Sequence, residues 1–274
     1  MRPFPALVDP GCFFLSSTHR DSLAALLYAA AHRSPLSTLT GSPGVGKTTV
    51  ASALSWQSER LHAPLLPLRL ADPFLSAMGV VSALSRRFAP ESSSLEREAQ
   101  LDALAAALRR LHARDATPLL LVDDAHRLEN GTLEQIRALV EWTLGGDPLL
   151  PVILLGPPSL DERLALSGPA SMPQMIEVQA RLEPLRPAEV AAYVDFRWRH
   201  AGLGEHPFTA DALAALAVAS GGVPRNIHRL CRLALGRAKV SRAIQIGPEW
   251  FPAQPECPRR KVQRTVVAMG RGQV

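Results

Sequence analysis

Residues 41 to 48 read Gly-Ser-Pro-Gly-Val-Gly-Lys-Thr, a spacing whose chemistry is the cradling of phosphate. Glycines at 41, 44 and 46 let the backbone take positive φ and turn its N–H groups inward. At the start of a helix those groups form a nest with partial positive charge for anionic oxygens. The cradle comprises Gly41, Ser42, Pro43, Gly44, Val45, Gly46, Lys47, Thr48 and Thr49. Lys47 is expected to reach the β- and γ-phosphates as a point charge, and the Thr48 hydroxyl to hold a magnesium ion.

Two further clusters carry the complementary chemistry. The run Leu119-Leu120-Leu121-Val122-Asp123-Asp124 is an apolar strand ending in carboxylates, which is what a magnesium site opposite a phosphate loop requires. Asp123 is expected to hold the metal from behind its directly bound ligands, and Asp124 to orient or deprotonate an attacking water. Gly221-Gly222-Val223-Pro224-Arg225-Asn226 opens a late helix. Pro224 suits the first helical turn, so Arg225 is projected from a fixed point towards a terminal phosphate.

The elements that must position these residues follow from periodicity. Leu36 to Thr40 is a short β-prone segment before the loop, and Thr49 to Leu61 has helical spacing after it. Upstream, Thr18 is read as the cap of a helix running to about His32. Downstream, Pro64–Leu70 reads as a strand, Pro73–Phe88 as a helix, Leu95–Arg114 as an amphipathic helix, Leu133–Leu144 as a helix, and Pro151–Leu155 and Met175–Val178 as strands. Strands alternating with helices predict an α/β fold: a P-loop parallel sheet with helices on both faces. From Pro187 only helices are expected, over 187–201, 209–219 and 223–239, forming a small C-terminal helical lid. The expected division is an N-terminal arm and helix over 1–35, the α/β domain over 36–184, the lid over 185–245, and a basic, proline-containing flexible tail over 246–274.

At 274 residues and 47% hydrophobic content the chain can bury a sizeable core. The longest apolar stretch, Leu149–Pro158, is too short and too interrupted by proline to span a bilayer. The first residues lack a signal-peptide core, so the expected location is cytoplasmic, with no integral membrane segment. Cys12, Cys231 and Cys257 have no metal-binding spacing and read as free thiols. The net charge of +5 is uneven: residues 1–224 carry 19 basic against 23 acidic residues, and residues 225–274 carry 11 against 2. A basic C-terminus suits an anionic partner, whether nucleic acid or a membrane surface, and equally suits a solvated face.

Taken together the motifs resemble the AAA+ ATPases of the ExeA/GspA general-secretion type and related transposition regulators such as TniB and TnsC. The likeness rests on Pro3-Phe4, Asp9-Pro10, Phe14-Leu15-Ser16 and His19-Arg20, the Gly41–Thr49 loop, and Val122-Asp123-Asp124-Ala125-His126 in place of a DEAQ- or DEAH-like string. It extends to Gly156-Pro157-Pro158-Ser159-Leu160 for a GQPEL-like string and to the Gly221–Leu235 helix. The resemblance implies ATP and Mg2+ bound between the α/β domain and the lid, catalytic roles for Lys47, Asp124 and Arg225, a metal site at Thr48 and Asp123, and head-to-tail assembly into a ring or filament.

Three positions depart from that pattern. Asp124 replaces a glutamate, Pro157 stands at the polar first sensor, and Met175 and Gln179 fall in the arginine-finger region, with Arg181 and Arg163 as substitutes. Loss of an arginine finger can slow phosphoryl transfer by about 10³–10⁵-fold, so weak or partner-stimulated hydrolysis is expected. Arg229, Arg232, Arg237, Lys239 and Arg242, with the tail residues Arg259 to Arg271, offer a basic surface for duplex DNA. The role expected from these features is a DNA-associated transposition helper working with a transposase. The alternatives are a secretion-type assembly ATPase with a secretion component as partner, and a nucleotide-gated scaffold with negligible turnover.

Overall fold

The computed structural model describes residues 3–4, 12–58, 64–92, 96–166 and 172–251. Asp9, Pro10, Cys257 and the basic residues from Arg259 to Arg271 lie outside them. Helix α1 (Ser17–Ala31) leads into strand β1 (Leu36–Gly41), helix α2 (Lys47–Ser58) and strand β2 (Leu65–Leu70). Helices α3 (Ala77–Phe88) and α4 (Arg97–His112) follow, then β3 (Thr117–Val122) and α5 (Asn130–Val140). A hairpin of β4 (Thr143–Leu144) and β5 (Asp147–Pro148) precedes β6 (Val152–Gly156), α6 (Ser159–Leu166) and β7 (Ile176–Leu182). The chain then runs through α7 (Pro187–His200), α8 (Ala210–Ser220) and α9 (Pro224–Ser241).

Five strands form one parallel sheet in the order β2-β3-β6-β1-β7. The central strands β1, β3 and β6 are buried along their whole length, because helices cover both faces. Alternation divides their side chains cleanly. Leu119, Leu121, Ile153 and Leu155 face the cluster under α1 and α2. Leu120, Val122, Val152 and Leu154 face the cluster under α3 to α6. This is the expected α/β sheet, with its ligand edge at the carboxyl ends of β1, β3 and β6.

The lid has its own core, built on Val190, Val194, Leu216, Ile227, Leu230 and Cys231. Cys231 is free and fully buried, as its packing role requires. Phe4, Ile246 and Phe251 also pack into that core. The packed lid therefore passes the expected boundary at 245: Ile246 N–H donates to the Pro207 carbonyl at 2.8 Å and Thr209 N–H donates to that of Ile246 at 3.1 Å.

Several element boundaries shift from the sequence reading for identifiable reasons. Ser16, not Thr18, caps α1, accepting from His19 N–H. Ser76 caps α3, so Pro73–Leu75 stay outside it. The segment ending at Leu144 leaves the helix at Val140, since Gly145 and Gly146 form the turn of the β4–β5 hairpin with φ of 65° and 98°. Among the described residues no helix is long and apolar enough to cross a membrane.

Candidate functional site

The loop after β1 is shaped by what approaches it. Gly44 and Gly46 have φ of 89° and 117°, and side chains at either position would collide with neighbours. A Cβ on Gly44 would lie 2.7 Å from the Cβ of Arg225, and one on Gly46 2.6 Å from Nε2 of His19. The lid thus leans on the loop, and Arg225 N–H donates to the Gly44 carbonyl at 3.3 Å. His19 supports it from the other side: Nε2 lies 3.1 Å from the Val45 carbonyl and Nδ1 2.6 Å from Ser16 Oγ. A carbonyl only accepts, so Nε2 carries the proton in the neutral ring. Burial pushes the His19 pKa down, against the Val45 hydrogen bond and Glu189.

Lys47 opens α2 and folds back on the loop, its Nζ donating to the carbonyls of Gly41 at 2.7 Å and Ser42 at 3.2 Å. Burial lowers its pKa, offset by Asp124 and Asp123 and assisted by Arg225. Four charged groups from three elements are therefore electrostatically coupled. Thr48 Oγ1 donates to Asp123 Oδ2 at 2.9 Å, and Asp123 is held by its own N–H on the Leu70 carbonyl at 2.9 Å. With its single hydroxyl proton used on Asp123, Thr48 keeps its oxygen lone pairs for a cation. This donor set, one hydroxyl backed by one carboxylate, fits magnesium bound largely by water and phosphate.

Asp124 sits beyond the end of β3 in the left-handed conformation, φ 49° and ψ 37°. Its side chain is half-exposed, with Oδ1 4.0 Å from Nδ1 of His126, too far for a hydrogen bond. Burial lowers the His126 pKa, with Asp124 opposing. Pro157 lines the same space and has no N–H to offer a phosphate.

Loop, acids and lid enclose a cavity of about 620 Å³ whose lining includes Lys47, Thr48, Asp123, Asp124 and Arg225, a size suited to a cofactor-sized ligand. Part of its lining is aromatic. Phe14 meets Tyr193 edge-on at 5.3 Å, and Tyr193 Oη lies 2.7 Å from His228 Nε2. The buried Arg197 fixes that wall by donating Nε to the Pro3 carbonyl at 3.1 Å and Nη1 to that of Cys12 at 3.3 Å.

A profile described as "AAA domain" matches residues 31–164. "General secretion pathway protein A" of Aeromonas hydrophila is 32% identical over 234 residues, covering 85% of this chain and 42% of the relative. The chain carries an AAA domain and is similar over most of its length to the AAA+ ATPases of the ExeA/GspA type. It spans less than half the length of that curated relative. Among solved structures it resembles Cdc6p of Pyrobaculum aerophilum, with TM-score 0.64 and 20% identity over 89% of this chain and 69% of that one. It also resembles Drosophila ORC bound to DNA, with TM-score 0.63 and 16% identity over 90% and 62%. The Thermotoga maritima RuvB branch migration motor follows with 0.57 and 18% over 90% and 70%. At these identities the structures share the AAA+ fold.

The structure relocates several residues within this AAA+ site. Arg225, His228 and Arg232 all line the cavity, so Arg232 faces the nucleotide side as well as solvent. Arg163 is not free to act on a neighbouring subunit in this arrangement: it grips the carbonyls of His126 and Leu128 and the Asn130 side chain. Arg181 is two-thirds exposed and paired with Glu183 at 2.8 Å. Met175 ends the 3-10 turn just before the edge strand β7, and Gln179 lies in the middle of that strand. Sequence reasoning passed over Tyr193 and Arg69, and touched His19 and His228 only within the strings that carry the resemblance, without a role in the site. Arg69 donates to Asp123 Oδ2 at 3.2 Å, and a lone charge in the run Leu65–Leu70 was a signal available for it.

Proposed function

We propose that this chain is an ATP- and Mg2+-binding molecular switch that hydrolyses ATP slowly or on stimulation by a partner, assembles head to tail, and acts on DNA as a transposition helper. The observation that carries the nucleotide reading is the Thr48–Asp123 hydrogen bond, which joins the phosphate loop to the acidic end of β3 inside one cavity under Arg225. The loop from Gly41 to Thr49 receives the phosphates and Lys47 leaves its two carbonyls for the β- and γ-oxygens. The aromatic wall of Phe14 and Tyr193 takes the base. Thr48 and Asp123 hold the magnesium, whose chemistry is neutralisation of charge on the phosphates. Asp124 orients the attacking water, and Arg225 steadies the terminal phosphate from the lid. The short Asp124, the N–H-less Pro157 and the tethered Arg163 all favour low basal turnover.

The DNA reading is supported by the basic residues of α9. Ile227, Leu230, Cys231, Ala234 and Ala238 are buried. At 100° per residue the opposite face carries Arg229 and Lys239 beside the cavity-lining Arg225 and Arg232, with Arg237 on its flank and Arg242 at the helix end, so Arg229, Arg237, Lys239 and Arg242 are the ones left for DNA. None of these pairs with a carboxylate among the described residues. Each phosphate contact contributes about 0.9 to the slope of log K against log salt. R229A/R237A/K239A should therefore flatten that slope by about 3 and weaken ATP-dependent retention on duplex DNA. No retention at low salt with ATP present, by wild-type protein, would remove the DNA role.

The identity with the Aeromonas secretion protein favours a second reading, an assembly ATPase serving an envelope machine. Affinity capture with the full chain separates them: recovery of secretion components selects the second reading, and recovery of a transposase the first. Phosphate release by wild-type protein that Lys47→Ala abolishes would exclude a scaffold without turnover.

A further inference from the structure

Asp123 already has a cation. Its Oδ2 accepts from both Thr48 Oγ1 at 2.9 Å and Arg69 Nη2 at 3.2 Å, and its Oδ1 accepts from Asp124 N–H at 3.1 Å. A carboxylate offers about four acceptor positions, so one is left. Arg69 approaches from β2 rather than from the cavity, which it does not line. Its Nη1 lies 3.4 Å from Ser52 Oγ, which itself donates to the Thr48 carbonyl at 2.9 Å on the first turn of α2. The acid is buried, with its side chain 12% exposed, whereas the Arg69 side chain is 34% exposed. The arginine can therefore leave for solvent, and the acid cannot.

We propose that Arg69 is a positioning residue that acts as an internal counter-ion to Asp123 and competes with magnesium for it. The inference rests on the reading of this cavity as a magnesium–nucleotide site. Without the metal, the guanidinium neutralises Asp123 and keeps its Oδ2 aligned on Thr48. When the metal arrives with nucleotide, a divalent charge and a guanidinium face one carboxylate, and like charges disfavour each other's presence. The pair must loosen, and the free energy that holds it raises the magnesium concentration the site needs. A partly exposed ion pair of this kind sets the effect at about three- to tenfold.

The test is a magnesium titration of fluorescent ATP-analogue binding, referenced to binding in EDTA, for wild type, R69M, R69Q and R69K. The two neutral replacements keep a side chain of similar length, so loss of folding in one leaves the other. Both should reach half-saturation at about three- to tenfold less magnesium, while R69K follows wild type. Thermal unfolding supplies a second readout: the neutral variants should melt lower without ligand and gain more than wild type on adding magnesium and nucleotide. A mere brace would lower both melting points alike. An unchanged or increased magnesium requirement in both neutral variants overturns the competition. Absence of nucleotide binding by the wild type at any magnesium concentration instead overturns the reading of the site, and the proposal with it.

Discussion

Replacing Gly44 with alanine probes how the phosphate loop and the lid are fitted to each other, and its cost divides into two parts. The backbone part is the φ of 89°, where an L-residue is strained by about 1–3 kcal/mol. The contact part comes from a new Cβ standing 2.7 Å from the Cβ of Arg225 and 3.2 Å from Cγ1 of Val223. Forcing packed neighbours to yield in this way costs about 1–3 kcal/mol. G44A should thus lose about 3 kcal/mol in equilibrium urea unfolding, with a parallel loss of affinity for a fluorescent ATP analogue. The clash is with a β-carbon, so partner variants discriminate. Arg225→Ala keeps that atom and Arg225→Gly removes it. A double-mutant cycle, with each Arg225 variant as its own reference, should give a coupling of about 1–2 kcal/mol for G44A/R225G and close to none for G44A/R225A. Equal coupling in the two cycles, or none in either, would refute the placement of the lid helix against the loop.

Lys47→Ala should weaken nucleotide binding by about 30- to 150-fold, the worth of a charge-assisted bond to phosphate, while a thermal melt shifts little. Burial lowers the His19 pKa below its ordinary 6.5, so its contribution to stability is complete above that value and falls as pH drops towards the folded value. H19N should flatten that part of a denaturation series between pH 7 and 5. Burial alone would raise the Glu189 pKa, yet hydrogen bonds from Arg186 and Ser17 bring it to about 2. Its stabilisation is present above the ordinary 4.5 and lost as pH falls through about 2. Glu189→Gln should remove this acid limb and cost about 1–3 kcal/mol at neutral pH.

What could be read from the chain beforehand depended on how far apart the interacting residues are. The Gly41–Thr49 loop is contiguous and its backbone demands are written in its own glycines, so its shape was legible. The apolar run into Asp123 and Asp124 was legible for the same reason. Arg69 and Asp123 are 54 positions apart and His19 and Val45 are 26 apart; their meeting depends on strand order and on the seating of α1, which no local pattern encodes. The hairpin at 143–148 is a different case. Gly145-Gly146 signals a two-residue turn, but the apolar spacing from Leu133 extends the helix to Leu144, over the residues that form the first strand of the hairpin. On α9 the charges were legible and their directions were not: only the buried set Ile227, Leu230, Cys231, Ala234 and Ala238 shows that Arg232 turns towards the cavity.

The lid is fastened to the rest of the protein at separate points. Glu189 on α7 accepts from the N–H and hydroxyl of Ser17 at the start of α1, both at 3.1 Å. Arg197, on the same helix, grips the carbonyls of Pro3 and Cys12. With the Arg225 N–H on the Gly44 carbonyl, these contacts tie the lid to the start of the chain and to the phosphate loop at once, so the shape of the cleft depends on hydrogen bonds between residues that lie at opposite ends of the sequence.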